Sequence, residues 1–183
     1  MLLHLVIAAL SLAYPLVRYV ALGTTPASSI PLFVVNKAVC IYAIAALFLH
    51  VHHRLRGNKA QAAHWFAAMA VASIGHVAMT LCMLSPVYYA KLYDAGRLTW
   101  SGELAMLAGV VASGLWFSGR VRRWLDPWLA LRLGAVCVAI HLAAIGLPGW
   151  FKPETWPGKL PPITLLCFLA TVTVVLHWRR REP

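Results

Sequence analysis

The stretch AAHWFAAMAVASIGHVAMTLCML, residues 62–84, decides how this chain folds. It runs 23 residues without a formal charge. At about 1.5 Å of rise per residue, that is enough for one helix to cross a hydrocarbon core of about 30 Å. The same stretch carries His76 well inside its length. Polar ring nitrogens are costly in hydrocarbon, so they tend to face a bundle interior and serve a purpose there.

Working outward, five further stretches are long and apolar enough to span, at about 2–22, 32–53, 100–118, 127–147 and 161–178. With 61% apolar residues, 11% charged residues and a mean hydropathy of +0.75, a chain of 183 residues is not a soluble domain. The expected fold class is all-α: a polytopic membrane protein with six transmembrane helices in one bundle, forming a single domain over residues 1–183. Turn chemistry separates the spans, in Gly23–Pro31, Arg54–Lys59, Ser85–Thr99, Gly119–Asp126 and the proline- and glycine-rich run from Pro148 to Pro162. No stretch outside the six is long enough for a second domain, and there is no internal repeat or low-complexity segment.

The net charge of +11 raises the question of a nucleic-acid partner, but the charges gather beside the spans. Arg54, Arg56 and Lys59 lie in the second loop, Arg120, Arg122 and Arg123 in the fourth, and Arg179, Arg180 and Arg181 after the last span. By the positive-inside rule these three groups belong in the cytoplasm, which puts both termini there and leaves no role for nucleic acid. The first loop is uncharged, and the third and fifth carry mixed signs through Lys91, Asp94, Arg97, Lys152, Glu154 and Lys159, so they face outward. Trp100, Trp116, Trp124, Trp128, Trp150, Trp156 and Trp178 then fall near the two interfaces, where indoles prefer to sit. A cleaved signal peptide is the competing reading of residues 2–22, but a basic n-region is lacking and the apolar run is longer than usual.

Several chemistries are excluded by what the sequence lacks. Cys40, Cys82, Cys137 and Cys167 all lie within spans and form neither Cys-x-x-Cys nor Cys-x-x-Cys-His, which argues against covalent haem attachment, a thioredoxin-type site or a zinc knuckle. There is no P-loop and no Gly-x-Gly-x-x-Gly. The acidic residues Asp94, Glu103, Asp126, Glu154 and Glu182 all lie away from mid-span, which argues against a proton pump or cation transporter built on carboxylates.

Histidine is therefore the main source of chemistry. His4, His50, His52, His53, His64 and His177 fall at the cytoplasmic edge, where interfacial polarity explains them, and His50, His52, His53 and His64 form at most a weak metal-site signal. His76 and His141 differ. Counted from Ala62 and Pro127, each lies fourteen residues into a span running in the same direction, a depth of about 21 Å. Around His76 the helical neighbours are Met69, Ala72, Ser73, Met79 and Thr80; around His141 they are Gly134, Cys137, Val138, Ala144 and Ile145. These mostly small residues leave room for a flat macrocycle. The alternative is that each imidazole hydrogen-bonds a neighbouring helix and locks the packing.

The segment Ala72-Ser73-Ile74-Gly75-His76-Val77, the run Leu98-Thr99-Trp100 with the span Gly102–Ser118, and Arg122-Arg123-Trp124 leading to Ala139-Ile140-His141 carry a resemblance over nearly the whole chain. The chain resembles the ferric reductase-like transmembrane domain family, and within it the haem-binding membrane subunits of bacterial periplasmic methionine sulfoxide reductase systems. The resemblance implies a multi-pass protein of the bacterial inner membrane in which His76 and His141 are the axial ligands of a b-type haem. It also carries a departure. Where the family has a histidine thirteen residues before the fifth-helix ligand, this chain has Trp128, and His64 stands twelve residues before His76, about 120° off its face. One haem near the outer leaflet is therefore expected, with the inner site lost or converted and His64 only a weak candidate ligand.

Arg18 and Arg97 are candidate partners of the haem propionates, against the alternative of interfacial anchoring, and Arg132 is a candidate for a quinone or the converted inner site. The last span is followed only by residues 179–183, so a separate donor is expected: a quinol in the membrane, passing electrons to a periplasmic redox protein or ferric iron. As an electron-transfer subunit, the chain would have no catalytic residues of its own. Two other classes fit the same outline, a haem-free membrane subunit or assembly factor, and a metal or small-molecule transporter using the cytoplasmic histidines.

Overall fold

The computed structural model describes residues 1–23, 30–118 and 121–178, with side chains left aside at 30, 121, 122, 177 and 178. Arg120, Arg179, Arg180, Arg181 and Glu182 lie outside the described residues, as do the side chains of Arg122, His177 and Trp178. The chain is all-α, with six helices among the described residues long and apolar enough to cross a membrane. In order they are α1 (Leu2–Pro15, continued by a π-helical turn Leu16–Ala21), α2 (Ile30–Leu55), α3 (Lys59–Cys82), a short α4 (Pro86–Tyr89), α5 (Trp100–Phe117), a short α6 (Val121–Trp124), α7 (Pro127–Trp150) and α8 (Ile163–Trp178).

Local sequence sets the helix starts. Asn58 caps α3 by accepting from the backbone N–H of Gln61, after a turn in which Gly57 takes φ +74°. Thr99 caps α5 through Gly102 N–H. Asp126 caps α7 by accepting from both Trp128 and Leu129 N–H, with Pro127 at the first helical position, where its missing donor costs nothing. In α1, Pro15 cannot donate to the ladder, and the next turn widens to the π pattern. That turn carries Arg18 inward, where it is buried.

The expected spans need four adjustments. The second helix extends at both ends to Ile30–Leu55, the third shifts back to Lys59–Cys82, and the last begins at Ile163 rather than 161. The fifth continues through Pro148 to Trp150 instead of breaking at 147. Pro148 falls in the final turn, where little helix remains to be disrupted. Trp150 then anchors that turn on α8 by donating from Nε1 to Thr164 Oγ1 at 3.0 Å. Residues 85–99 are also more than a loop. Besides α4 they form a two-residue hairpin, β1 (Tyr93–Asp94) with β2 (Arg97–Leu98), whose turn residues Ala95 and Gly96 both have positive φ.

The helices pack as α1 on α2, α2 on α3 and α8, α8 on α7, and α7 on α5, while α3 and α5 touch only sparingly. The main core joins Leu47 and Val51 of α2, Trp65 and Met69 of α3, Trp116 of α5, and Leu131 and Ala135 of α7. Trp116 donates from Nε1 to the Leu131 carbonyl at 3.1 Å, an approach that Gly134 permits, since a Cβ there would sit 1.9 Å from that nitrogen. Trp116 and Trp150, at the ends of α5 and α7, are buried packing residues. The outward faces carry Val71, Ile74, Leu81, Leu107 and Val110 in the open, a surface suited to lipid.

Candidate functional site

The gap between α3 and α5 holds two adjoining cavities, of about 230 and 450 Å³. Both are lined by His76 and His141, so the residues paired from sequence face one shared space. Each imidazole is oriented by its Nδ1. That of His76 is 2.7 Å from Asn36 Oδ1, and that of His141 is 2.8 Å from the Ala105 carbonyl. The oxygens can only accept, so both rings carry the proton on Nδ1 and a lone pair on Nε2. Neither Nε2 has a hydrogen-bond partner among the described residues.

The surroundings support these orientations. Asn36 is fully buried, and its amide nitrogen donates to Thr80 Oγ1 at 3.1 Å and Tyr89 Oη at 3.2 Å. Gly109 faces the His141 ring, and a Cβ there would come within 3.3 Å of Nδ1. The smaller cavity is walled by small or apolar residues, among them Ala43, Ser73, Val77, Gly109, Ala112 and Val138. Of the helical neighbours named from sequence, Ser73, Thr80, Val138 and Ile145 line the cavities, whereas Met69 belongs to the core and Met79 packs on Met83 and Tyr89.

The larger cavity is cationic. Arg18, Lys37 and Lys91 all line it, and among the described residues no carboxylate pairs with any of them. Arg18 donates from Nη1 to the Leu160 carbonyl, while its Nε is buried without a partner among the described residues. The Lys37 ammonium lies 5.0 Å from the Phe33 ring centroid and 5.4 Å from that of Tyr89. Lys91 has an exposed side chain, but its ammonium reaches in to donate to the Ile145 carbonyl at 2.8 Å. Burial of that ammonium, and then the nearby Lys37 charge, push its pKa down to about 8. Burial also raises the Tyr89 phenol above its ordinary range.

Sequence reasoning missed Lys37 and Asn36. A lysine seven residues past Ile30 in an apolar segment was the available signal for the first. Of the sequence candidates, only Arg18 lines the cavities with the two histidines. Arg97 is exposed on β2 and Arg132 half-buried on α7, and neither lines either cavity. Arg97 is carried by the hairpin, opposite Asp94, and Arg132 lies nine residues before His141, near the opposite end of α7.

The remaining histidines are also rearranged. His64 does not approach His76. Its Nε2 lies 2.7 Å from that of His4, whose Nδ1 is 2.5 Å from Tyr42 Oη and whose ring stacks on Trp65 at 4.0 Å. His50 is buried, with Nδ1 2.7 Å from the Ala62 carbonyl, while His52 and His53 lie within the last turns of α2, at the span end expected for them. The group of His50, His52, His53 and His64 does not come together, and no cluster of three or more metal-ligating side chains occurs among the described residues. Trp128 lines a separate cavity of about 210 Å³ with His50, and the Arg54 guanidinium lies 4.6 Å from its ring centroid.

Compared with known protein families and with curated proteins, the chain matches none.

Proposed function

We propose that the chain holds one b-type haem between His76 and His141 and works as an electron-transfer subunit of the inner membrane, with both termini in the cytoplasm. One observation carries the reading: both imidazoles are fixed through Nδ1 and offer an unpartnered Nε2 to one shared cavity. Metal-ligating histidines commonly donate their other ring N–H to an oxygen acceptor in this way, which fixes the tautomer and raises ligand basicity. Two adjoining cavities, a glycine beside one ring and three cations without carboxylate partners also fit a flat, dianionic macrocycle. Arg18, Lys37 and Lys91 are the residues that would meet its propionates.

A haem held by His76 and His141 would supply one-electron redox chemistry, which suits electron transfer. The donor in this reading is a membrane quinol, and the acceptor is a redox protein or ferric iron on the side of the mixed-charge loops. Basic loops at Arg54–Lys59 and around Arg123 support the orientation. A pyridine haemochrome assay on purified protein tests the stoichiometry. One haem per chain is expected, and two or none would contradict the proposal.

A further inference from the structure

The cavity at the basic end, lined by His50 and Trp128, belongs to no part of the site described above. His50 is 7% exposed, and its Nδ1 is held by the Ala62 carbonyl, so Nε2 is a lone pair without a partner among the described residues. Phe66, Trp116 and Trp128 supply aromatic walls, and Arg54 and Lys59 stand at the rim. Trp116 lines this cavity and also the smaller cavity of the His76–His141 pair, so a single indole, held by the Leu131 carbonyl, is a wall of both spaces.

We infer that this cavity binds the head of a membrane hydroquinone, one hydroxyl donating to His50 Nε2 and the ring lying among the aromatic walls. The inference rests on the proposal of a quinol donor and gives that donor a place. A volume of about 210 Å³ accommodates a substituted six-membered ring while its tail stays in lipid. His50 is suited to take a proton, because the resulting imidazolium still donates from Nδ1 to Ala62. Oxidation of one hydroquinone to the quinone releases two electrons and two protons. A haem held by His76 and His141 would accept these electrons one at a time, with Trp116 between the two spaces, and the protons would leave by way of His50 to water at the Arg54–Lys59 rim.

The test is a titration of the full chain in nanodiscs with ubiquinol-1, held reduced under argon with dithionite so that its hydroxyls remain to donate, read by tryptophan fluorescence, since Trp116 and Trp128 line the cavity. Wild type should quench saturably. His50→Asn keeps a donor for the Ala62 carbonyl but removes Nε2, and should weaken binding about tenfold, the worth of one buried hydrogen bond. Ala63→Phe, at an exposed position lining the cavity, should abolish saturable quenching and decides the matter alone if His50→Asn does not fold. Unchanged affinity in the variants at His50 and Ala63, or displacement of ubiquinol-1 by phosphatidylglycerol with the same dependence on His50, would overturn the inference, the latter in favour of a lipid phosphate. Val71→Ala, on the exposed side of α3 and outside all three cavities, should bind ubiquinol-1 as wild type does. A colourless wild-type protein that still shows His50-dependent binding would refute the haem and leave this site standing.

Discussion

Asn36 Oδ1 accepts from His76 Nδ1 at 2.7 Å, and the same amide donates to Thr80 and Tyr89, so one buried side chain on α2 orients an imidazole on α3 and ties down α4. Asn36→Leu strips three polar groups of their partner, at about 1–3 kcal/mol for each one left buried and unsatisfied. A lower unfolding temperature is expected, together with several-fold less bound haem. The haem that remains should have a higher midpoint potential, because the ligand loses the hydrogen bond that raised its basicity. Circular dichroism melts and a redox titration check both effects.

Gly109 is the corresponding control on the other ligand. A Cβ at this position comes within 3.3 Å of His141 Nδ1, so Gly109→Ala should be tolerated with a ring shift of a few tenths of an ångström. Gly109→Val should break the bond from His141 to the Ala105 carbonyl and lower haem content sharply. Absorption spectra of the two variants, purified side by side, test this graded response.

Gly134→Ala tests the fold without touching either histidine. The added carbon would lie 1.9 Å from Trp116 Nε1, so the indole must leave the Leu131 carbonyl or the α5–α7 pair must spread. Overpacking of this kind costs about 1–3 kcal/mol. A lowered midpoint in thermal unfolding is expected, and an unchanged one would show that Trp116 is not held as described.

Most of the fold was legible because hydrocarbon imposes a length and a composition that a single sequence displays directly, as residues 62–84 do. The pairing of His76 with His141 was legible for the same reason, since rise per residue converts position into depth. What stayed hidden depends on rotation and on close approach between helices. The position of Trp116 near a helix end says nothing of which way its ring turns, and Gly134 opens a place for that ring inside the bundle. Lys37 breaks an apolar run without ending it, because its ammonium finds the Phe33 and Tyr89 rings and a shared cavity. His50 looked wet from its place near a helix end, yet the Ala62 carbonyl of the next helix receives it.

Lys91 gives a pH dependence of defined sign. Its pKa in the folded protein is about 8 against an ordinary 10.5, so the unfolded chain binds the proton more tightly. The cost of charging Lys91 is fully present below about pH 8 and is relieved as pH rises from there toward about 10.5. Stability of the haem-free protein, where no propionate meets Lys91, should rise across that window relative to Lys91→Met, as measured by unfolding midpoints in detergent at matched ionic strength.

The central claim, that His76 and His141 together hold a haem, is tested most directly by the visible spectrum of the purified protein beside those of His76→Ala and His141→Ala. A Soret band in wild type that is lost in both variants, each still extracting as an intact helical protein, is the predicted result. A colourless wild type, or a band that survives removal of either histidine, would contradict it.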